Sequence, residues 1–261
     1  MKILPASIVI PTLNEEKYLP LLLGSLRKIS APLDIIVVDG DSADDTVRIV
    51  EEYQPHFTGE SSLRLVQCGE RGISLQRNKG AAIAKHDILI FCDADIIVPS
   101  EEAYTKIIFA FKEKGYVVAA PVLVPVESGV FLRHIHRSAY YTQRILLMFK
   151  RPYFGGAYLI TTKDVFAKLG GFDQQIMLGE DVDYSLRASR LGGYGLIEVA
   201  LPVSARRMIK YGYTWALKEL PNIIRSLWTG RVRPDTIYYP FGAYGGHAAH
   251  HVTNNRGKNV Q

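Results

Sequence analysis

Apolar and polar positions alternate along this chain in blocks that fit a protein of alternating strands and helices. Ser7 to Ile10 and Ile35 to Val38 are short apolar runs, the pattern of strands buried on both faces of a parallel sheet, and Leu63 to Val66 predicts a third strand. Ile88 to Cys92 is the clearest of them: an unbroken apolar run that follows Lys85, His86 and Asp87 and ends at Asp93. Stretches of helical period lie between. Tyr18, Leu19, Leu22, Leu23 and Leu26 repeat at helical spacing, with Arg27 and Lys28 in the closing turn where cations favour the helix dipole. Ser42 and Asp45 have the spacing of a capping box opening a helix through Val47, Ile49 and Val50, and the alanines of Asn78 to Lys85 predict a third helix. Strand, helix, strand, helix in this order argues for right-handed βαβ units and a parallel sheet.

The second half is less regular. Ser100, Glu101 and Glu102 open a helix to about Lys114, and Tyr116 to Val126 predicts a strand that Pro121 and Pro125 place at an edge or bend. Val130 to Phe149 is strongly amphipathic, with Arg133, Arg137, Tyr140, Arg144 and Arg151 in one stripe and Phe131, Ile135, Ala139, Thr142, Leu146 and Phe149 opposite. Two accounts fit that helix: a half-buried element with a solvated polar face, or a surface for an anionic membrane or a phosphorylated lipid. Gly155-Gly156 marks a tight loop before a strand at Tyr158 to Thr161, and a short helix over Asp164 to Leu169 stops at Gly170-Gly171. Gly179 to Asp183 opens a helix over Tyr184 to Leu191, Leu196 to Ala200 is a last strand, and a helix is expected around Trp215 to Trp228 before an irregular tail.

Composition narrows the class. Hydrophobic residues at 48% and charged residues at 22% of 261 are ordinary for a globular protein. The longest apolar run, Val117 to Val126, holds two prolines and is too short to span a bilayer, and the N-terminus shows no secretory signal. Cys68 and Cys92 read as free packing thiols, which fits a cytoplasmic setting, and the membrane account of Val130 to Phe149 would place the protein at the inner face of the membrane. The net charge of +5 is mild; it permits attraction to phosphates or an anionic surface, and no nucleic-acid partner is expected.

The chemistry sits beyond the central strand. Asp93 and Asp95 follow a buried apolar run, where desolvated carboxylates need partners, hydrogen bonds or a metal. A hard divalent cation shared with substrate phosphates would satisfy them, and so would an acidic turn bonded to nearby backbone. The residues alone fit both.

With these pieces in order, the chain resembles the family 2 glycosyltransferases. The matching segments are Ile10 to Glu16, Val37 to Thr46, Gln76 to Gly80, Asp93-Ala94-Asp95, Gly155-Gly156-Ala157 and Gly179-Glu180-Asp181. The resemblance implies an α/β protein of GT-A fold, with a Rossmann-like, mostly parallel central sheet flanked by helices and a helical C-terminal extension. It implies a catalytic domain over residues 1–210, with the donor half at about 1–98 and the acceptor half at 99–210, and an extension over 211–261. Pro11, Thr12, Leu13, Asn14 and Glu15, with Asp39 and the weaker neighbour Asp41, would hold the nucleotide, and Arg71, Gln76 and Arg77 would lie near the donor. Asp93 and Asp95, with Ala94 between them, match the DxD motif, which binds Mg²⁺ or Mn²⁺ bridged to the donor diphosphate. Asp181 matches the catalytic base, Glu180 orients it or contacts the acceptor, and Gly155, Gly156 and Ala157 border the acceptor. The metal-binding His that some members carry after the last strand is absent; Arg206 and Arg207 are candidates for the diphosphate, and His247, His250 and His251 lie in the tail.

The implied function is metal-dependent, inverting transfer from a UDP-sugar or GDP-sugar to a sugar or lipid-phosphate acceptor; peripheral membrane contact through Val130 to Phe149 stays one of the two accounts of that helix. Other classes fit less well. Haloacid-dehalogenase-like phosphatases carry an Asp-x-Asp pair on their first strand, whereas here some ninety residues precede it. The Gly-rich loop of nucleotidyltransferases is replaced by Pro11 to Asn14, and no G-x-G-x-x-G follows a strand. A noncatalytic sugar-nucleotide-binding module would keep Asp39 and Asp95 but not need Asp181.

Overall fold

The computed structural model describes residues 3–127, 129–176, 178–206, 209, 224–226, 228 and 229. Seven strands form one mixed sheet among these residues: β1 (Ala6–Thr12), β2 (Leu33–Asp39), β3 (Ser62–Gln67), β4 (Ile88–Cys92), β5 (Tyr116–Pro125), β6 (Tyr158–Thr162) and β7 (Gly193–Val203). Their order across the sheet is β3-β2-β1-β4-β6-β5-β7. Pairs β1/β2, β2/β3, β1/β4 and β5/β7 are parallel, and β6 runs antiparallel to both β4 and β5. The chain therefore builds outward from β1 to β3, then returns to the other side of β1 with β4. That reversal makes the β1/β4 boundary a topological switch point, where open α/β sheets bind ligands beyond the strands' carboxyl ends.

Burial explains why the apolar runs are unbroken. Alternate residues of each strand face opposite layers: Ile8, Ile10, Ile35, Val37 and Ile90 pack with Leu19, Leu22, Leu23, Tyr104, Ile107 and Phe111 in one core cluster. Val9, Ile36, Val38, Leu89 and Phe91 pack with Ala81, Phe172 and Tyr184 in a second. The first layer holds α1 (Leu19–Leu26) and α4 (Glu101–Glu113), the second α3 (Ile73–Ala82) and α7 (Glu180–Ala188). Helices α2 (Thr46–Tyr53), α5 (Val130–Met148) and α6 (Lys163–Leu169) complete the order. At Gly80 a Cβ would stand 2.3 Å from Val9 Cγ1, so α3 crosses β1 at a distance that only glycine permits.

Several expectations are corrected. Helix α3 begins at Ile73, five residues ahead of the alanine-rich stretch, because Gln76 and Arg77 are turned inward and buried. The Ser42–Asp45 capping box does not form: Ser42 hydrogen-bonds Asp39, and the Thr46 N–H donates to Asp44 Oδ1 at 3.0 Å. β5 is bent, with register shifts that include one between Pro121 and Val122, but β7 covers its outer side, so it is not an edge. On α5 the apolar side is not buried: Ala139, Thr142 and Phe149 are exposed and Leu146 is half-buried, while the side chains of Phe131 and Ile135 lie outside the described residues. Most of the expected Trp215 to Trp228 helix, the tail histidines and Arg207 also lie outside them.

Candidate active site at the β1/β4 switch point

Three strand ends and two helix starts converge here. Beyond β1, Thr12 Oγ1 donates to Asp39 Oδ1 at 2.9 Å, the Asn14 N–H donates to Ser42 Oγ at 2.9 Å, and the Ala43 N–H donates to Asn14 Oδ1 at 2.8 Å. Asp39, at the end of β2, is 2% exposed and also accepts the Ser42 N–H (2.8 Å) and hydroxyl (2.5 Å). Asn14 and Asp41 take positive φ angles, 58° and 71°, which Asn and Asp tolerate better than other side chains. Pro11 and Leu13 are buried in this lacing and position the loop from below.

From α3, Gln76 reaches under both strand tips: its Nε2 donates to Thr12 O at 2.8 Å and Val38 O at 2.7 Å. It braces the ends of β1 and β2 from beneath rather than lining their surface. Arg71, ahead of the same helix, is exposed. Arg77 is neither a surface charge nor a loop residue. It is 1% exposed, and its Nη1 donates to Glu180 Oε1 at 2.7 Å while Nη2 donates to Asp93 Oδ1 at 2.9 Å and Gly156 O at 3.0 Å. The Phe172 ring lies 5.3 Å from its guanidinium carbon. Burial works against the charge of Arg77, but Asp93, Glu180 and Asp181 outweigh it and hold the proton more tightly than usual. One side chain thus joins the Asp93–Asp95 turn, the Gly155–Ala157 loop and the start of α7.

The loop itself is pinned from both sides. Asp93 N–H donates to Ala157 O at 2.9 Å, and the Gly156 N–H makes a short hydrogen bond to Asp181 Oδ2. A Cβ on Gly156 would lie 2.8 Å from Arg77 Nη2 and 2.9 Å from Asp181 Oδ2, so the glycine is required by the closeness of the two groups. Asp181 Oδ1 accepts the Val182 N–H at 2.7 Å. Burial pushes the Asp181 carboxyl above its ordinary range against the lowering effect of Arg77. Glu180, 5% exposed, is pushed up to about 7, by burial first and by Asp181 second. Two adjacent acids with raised proton affinity, one of them held by two backbone N–H groups, suit proton abstraction.

On the other flank, Arg206 meets two acids. Its Nη1 and Nη2 donate to Glu15 Oε2 and Oε1 at 2.7 and 2.6 Å, its Nε to Asp95 Oδ2 at 3.1 Å, and its guanidinium carbon lies 4.3 Å from the Tyr18 ring centre. Burial pushes Glu15 to about 7 although Arg206 pulls it down. That value already includes the lowering by the two-pronged Arg206 contact, so loss of Arg206 raises the proton affinity of Glu15 further. The sequence placed Arg206 toward a diphosphate; here its partners are Asp95 and Glu15. Neither the Arg206 contact nor the bridging role of Arg77 was visible, because each joins residues more than a hundred positions apart in the chain.

The donor set fits a hard cation. Asp93 and Asp95 offer carboxylate oxygens at one strand end, and guanidinium groups already stand against both, marking where positive charge is stabilised. Among the described residues no group of three or more His, Cys, Asp and Glu is arranged to hold a metal alone. A cation here would be completed by ligand oxygens.

Comparison with known proteins gives the site its context. Residues 7–170 match the family described as glycosyl transferase family 2. Over 115 residues the chain is 36% identical to a 4,4'-diaponeurosporenoate glycosyltransferase of Staphylococcus haemolyticus, covering 42% of this chain and 29% of that protein. The chain thus spans less than a third of that relative's length. The fold superposes on the mannosyltransferase PcManGT of Pyrobaculum calidifontis, solved in complex with GDP-Man and Mn²⁺, with a TM-score of 0.67 at 19% identity, covering 88% of this chain and 66% of that one. It also matches S. aureus TarS 1–349 in complex with UDP-GlcNAc, with a TM-score of 0.62 at 21% identity over 77% of this chain and 58% of that one. Both likenesses establish the GT-A architecture. The family match runs from β1 through α6 and takes in the Asp93–Asp95 turn and the Gly155–Ala157 loop, so this chain belongs to glycosyl transferase family 2.

Proposed function

We propose that the protein transfers a sugar from a nucleoside-diphospho-sugar, a UDP-sugar or GDP-sugar, to an acceptor hydroxyl or phosphate with inversion at the anomeric carbon. The observation that carries this is the hydrogen-bonded set Asp93–Arg77–Glu180 with Gly156 and Asp181, which ties the acidic turn to the candidate base at one crevice. The complexes of PcManGT with GDP-Man and Mn²⁺ and of TarS with UDP-GlcNAc support a donor of this class.

Asp39 and the Pro11–Glu15 loop hold the nucleoside, with residues 1–98 serving the donor and 99–210 the acceptor. Asp95 and Asp93 would hold Mg²⁺ or Mn²⁺, which when bound would supply Lewis-acid stabilisation of a departing nucleoside diphosphate. Asp181 accepts the acceptor's hydroxyl proton as that oxygen bonds to the anomeric carbon and the bond to the diphosphate oxygen breaks. Arg77 and the Gly156 N–H orient the acids, and Glu180 stands beside the incoming acceptor. A single displacement on one face gives inversion. The two buried free thiols, Cys68 and Cys92, favour a reducing, cytoplasmic setting.

The test is Asp181→Asn beside Asp95→Ala. We expect Asp181→Asn to bind donor normally while turnover falls by about 10²–10⁴-fold, the usual contribution of a general base. We expect Asp95→Ala to lose metal-dependent donor binding, read by thermal shift against nucleoside diphosphates and nucleotide sugars with and without Mn²⁺. Normal turnover by Asp181→Asn overturns the base assignment. Donor binding without transfer to any acceptor, in parent and variant alike, makes the protein a sugar-nucleotide-binding module.

A further inference from the structure

Helix α5 carries a surface that the transfer chemistry does not use. It lies against β5, Leu147 joins the second core cluster, and His136, Tyr140, Gln143 and Leu146 are half-buried. Its outer side bears Tyr141, Ile145, Met148 and Phe149, which are 49, 54, 81 and 73% exposed. At helical spacing these four fall on one arc. Exposed Arg133, Arg137 and Arg144 run along one border of that arc, and the Arg137 guanidinium lies 5.7 Å from the Tyr141 ring centre. Exposed Lys150 and Arg151 follow at its end. From Val130 to Arg151 there are five Lys and Arg and no Asp or Glu; Glu198, from β7, pairs with Arg144 at 2.9 Å.

A water-facing stripe on a half-buried helix should be polar. This one is bulky, apolar and bordered by cations, which is the pattern of a helix lying in a membrane interface. No described helix is long and apolar enough to cross a bilayer. Charge decides among the possible occupants. A second copy would bring the same uncompensated cations against these, and residues 207–261 hold eight Lys and Arg against two Asp and Glu, so both repel the stripe. An anionic surface complements it.

We propose that α5 docks this protein on an anionic lipid surface. Tyr141, Ile145, Met148 and Phe149 enter the boundary between headgroups and acyl chains, and Arg133, Arg137, Lys150 and Arg151 meet lipid phosphates. The end of α5 leads within a few residues to Gly155 and Gly156, so docking brings the candidate acceptor side of the crevice to the lipid surface. The inference stands apart from the transfer reading, because vesicle binding is measured without donor or metal.

The experiment is co-sedimentation of the full chain with phosphatidylglycerol-containing vesicles and with pure phosphatidylcholine vesicles. Binding to the first only, weakened by salt, is expected. Ile145→Glu/Met148→Glu/Phe149→Glu should lower partition by about tenfold or more, with an unchanged circular dichroism spectrum, because the replaced side chains face water. A second measurement does not depend on that variant. Met148→Cys can be labelled selectively with a polarity-sensitive dye, since Cys68 and Cys92 are buried, and its emission should shift to the blue on anionic vesicles. Unshifted emission, or a triple variant that pellets as well as the parent, overturns the proposal. So does light scattering that shows a parent dimer dissolved by the triple variant, which would make the stripe a contact between copies.

Discussion

Replacing Arg77 by Met tests whether the site is held together by one buried charge. The side chain is 1% exposed, and its two terminal nitrogens touch Glu180, Asp93 and the Gly156 carbonyl. Methionine fills much of the same volume but leaves Glu180 and Asp93 without that guanidinium, close to Asp181. Removing one partner of a buried pair costs about 3–5 kcal/mol, a large share of the roughly 5–15 kcal/mol that holds a domain folded. The loss should depend on pH. Glu180 already titrates at about 7, and without Arg77 its affinity for a proton rises further. Between that higher value and about 7 the variant regains up to about 1.4 kcal/mol for each pH unit, because there its native state takes up a proton that the parent's does not; below about 7 both carry it.

Urea unfolding followed by circular dichroism at pH 8 and pH 6 measures both effects. We expect the full cost at pH 8 and a smaller one at pH 6, and the double variant Arg77→Met/Glu180→Gln should recover part of it at pH 8. A cost below about 1 kcal/mol at pH 8, or an equal cost at both pH values, would refute the claim that Arg77 neutralises this cluster.

Gly156→Ala should leave donor affinity near the parent's and lower turnover by about tenfold or more, because the new methyl displaces Arg77 or Asp181 by tenths of an ångström; the split between kcat and KM checks it. The parent's own stability should fall as pH rises from about 4.5 to about 7, since Glu15 and Glu180 have folded values raised to about 7 and the native state holds their protons longer than the unfolded chain. Asp34 acts in the opposite sense: burial raises it, but the Lys85 N–H, Ser7 and Arg64 outweigh that and lower it, so its contribution is present above its unfolded value of 3.8 and lost on further acidification. Calorimetric Tm values across this range should therefore peak on the acid side of neutrality, and a Tm that rises steadily from pH 5 to pH 8 would contradict these shifts. Arg206→Gln should increase Mn²⁺ affinity in the absence of nucleotide on the order of tenfold, read by electron paramagnetic resonance, because it frees Asp95 from a competing cation.

Strands β1, β2 and β4 were legible because both faces of each are buried. Ile88 to Cys92 could be bounded to the residue, since nothing polar interrupts it and Asp93 ends it. Periodicity failed where polar side chains point inward. Gln76 and Arg77 stand ahead of the alanine-rich stretch that marks the helix in the sequence, yet they occupy the inner side of α3 because the Thr12 and Val38 carbonyls and the Glu180 and Asp93 carboxylates supply partners there. The acids themselves could be named from the chain. Their pairing could not, because Glu15 and Arg206, or Arg77 and Glu180, become neighbours only after the sheet has folded. The same limit hid the exposed stripe of α5: the sequence divides into a basic and an apolar side, but which side meets β5 depends on how the helix is rotated against a strand that itself bends at Pro121.

The crevice concentrates negative charge before any phosphate arrives, and its two arginines answer that charge in different ways. Arg77 comes from within α3, is enclosed by backbone and carboxylates, and cannot turn toward a ligand without breaking contacts to three separate segments. Arg206 follows β7, stacks on Tyr18 and bridges Glu15 to Asp95 from the outer side. If the proposed donor binds here, a diphosphate with its cation would offer oxygens to Arg206 and positive charge to Asp95 together, so both partners of the broken contact would be satisfied at once. Glu15, left behind in a buried site, then takes up a proton instead of remaining an unpaired charge, which its raised proton affinity allows. On the proposed function, Arg206 would therefore be the cation handed from protein to ligand, and Arg77 the one that keeps the acids in place meanwhile.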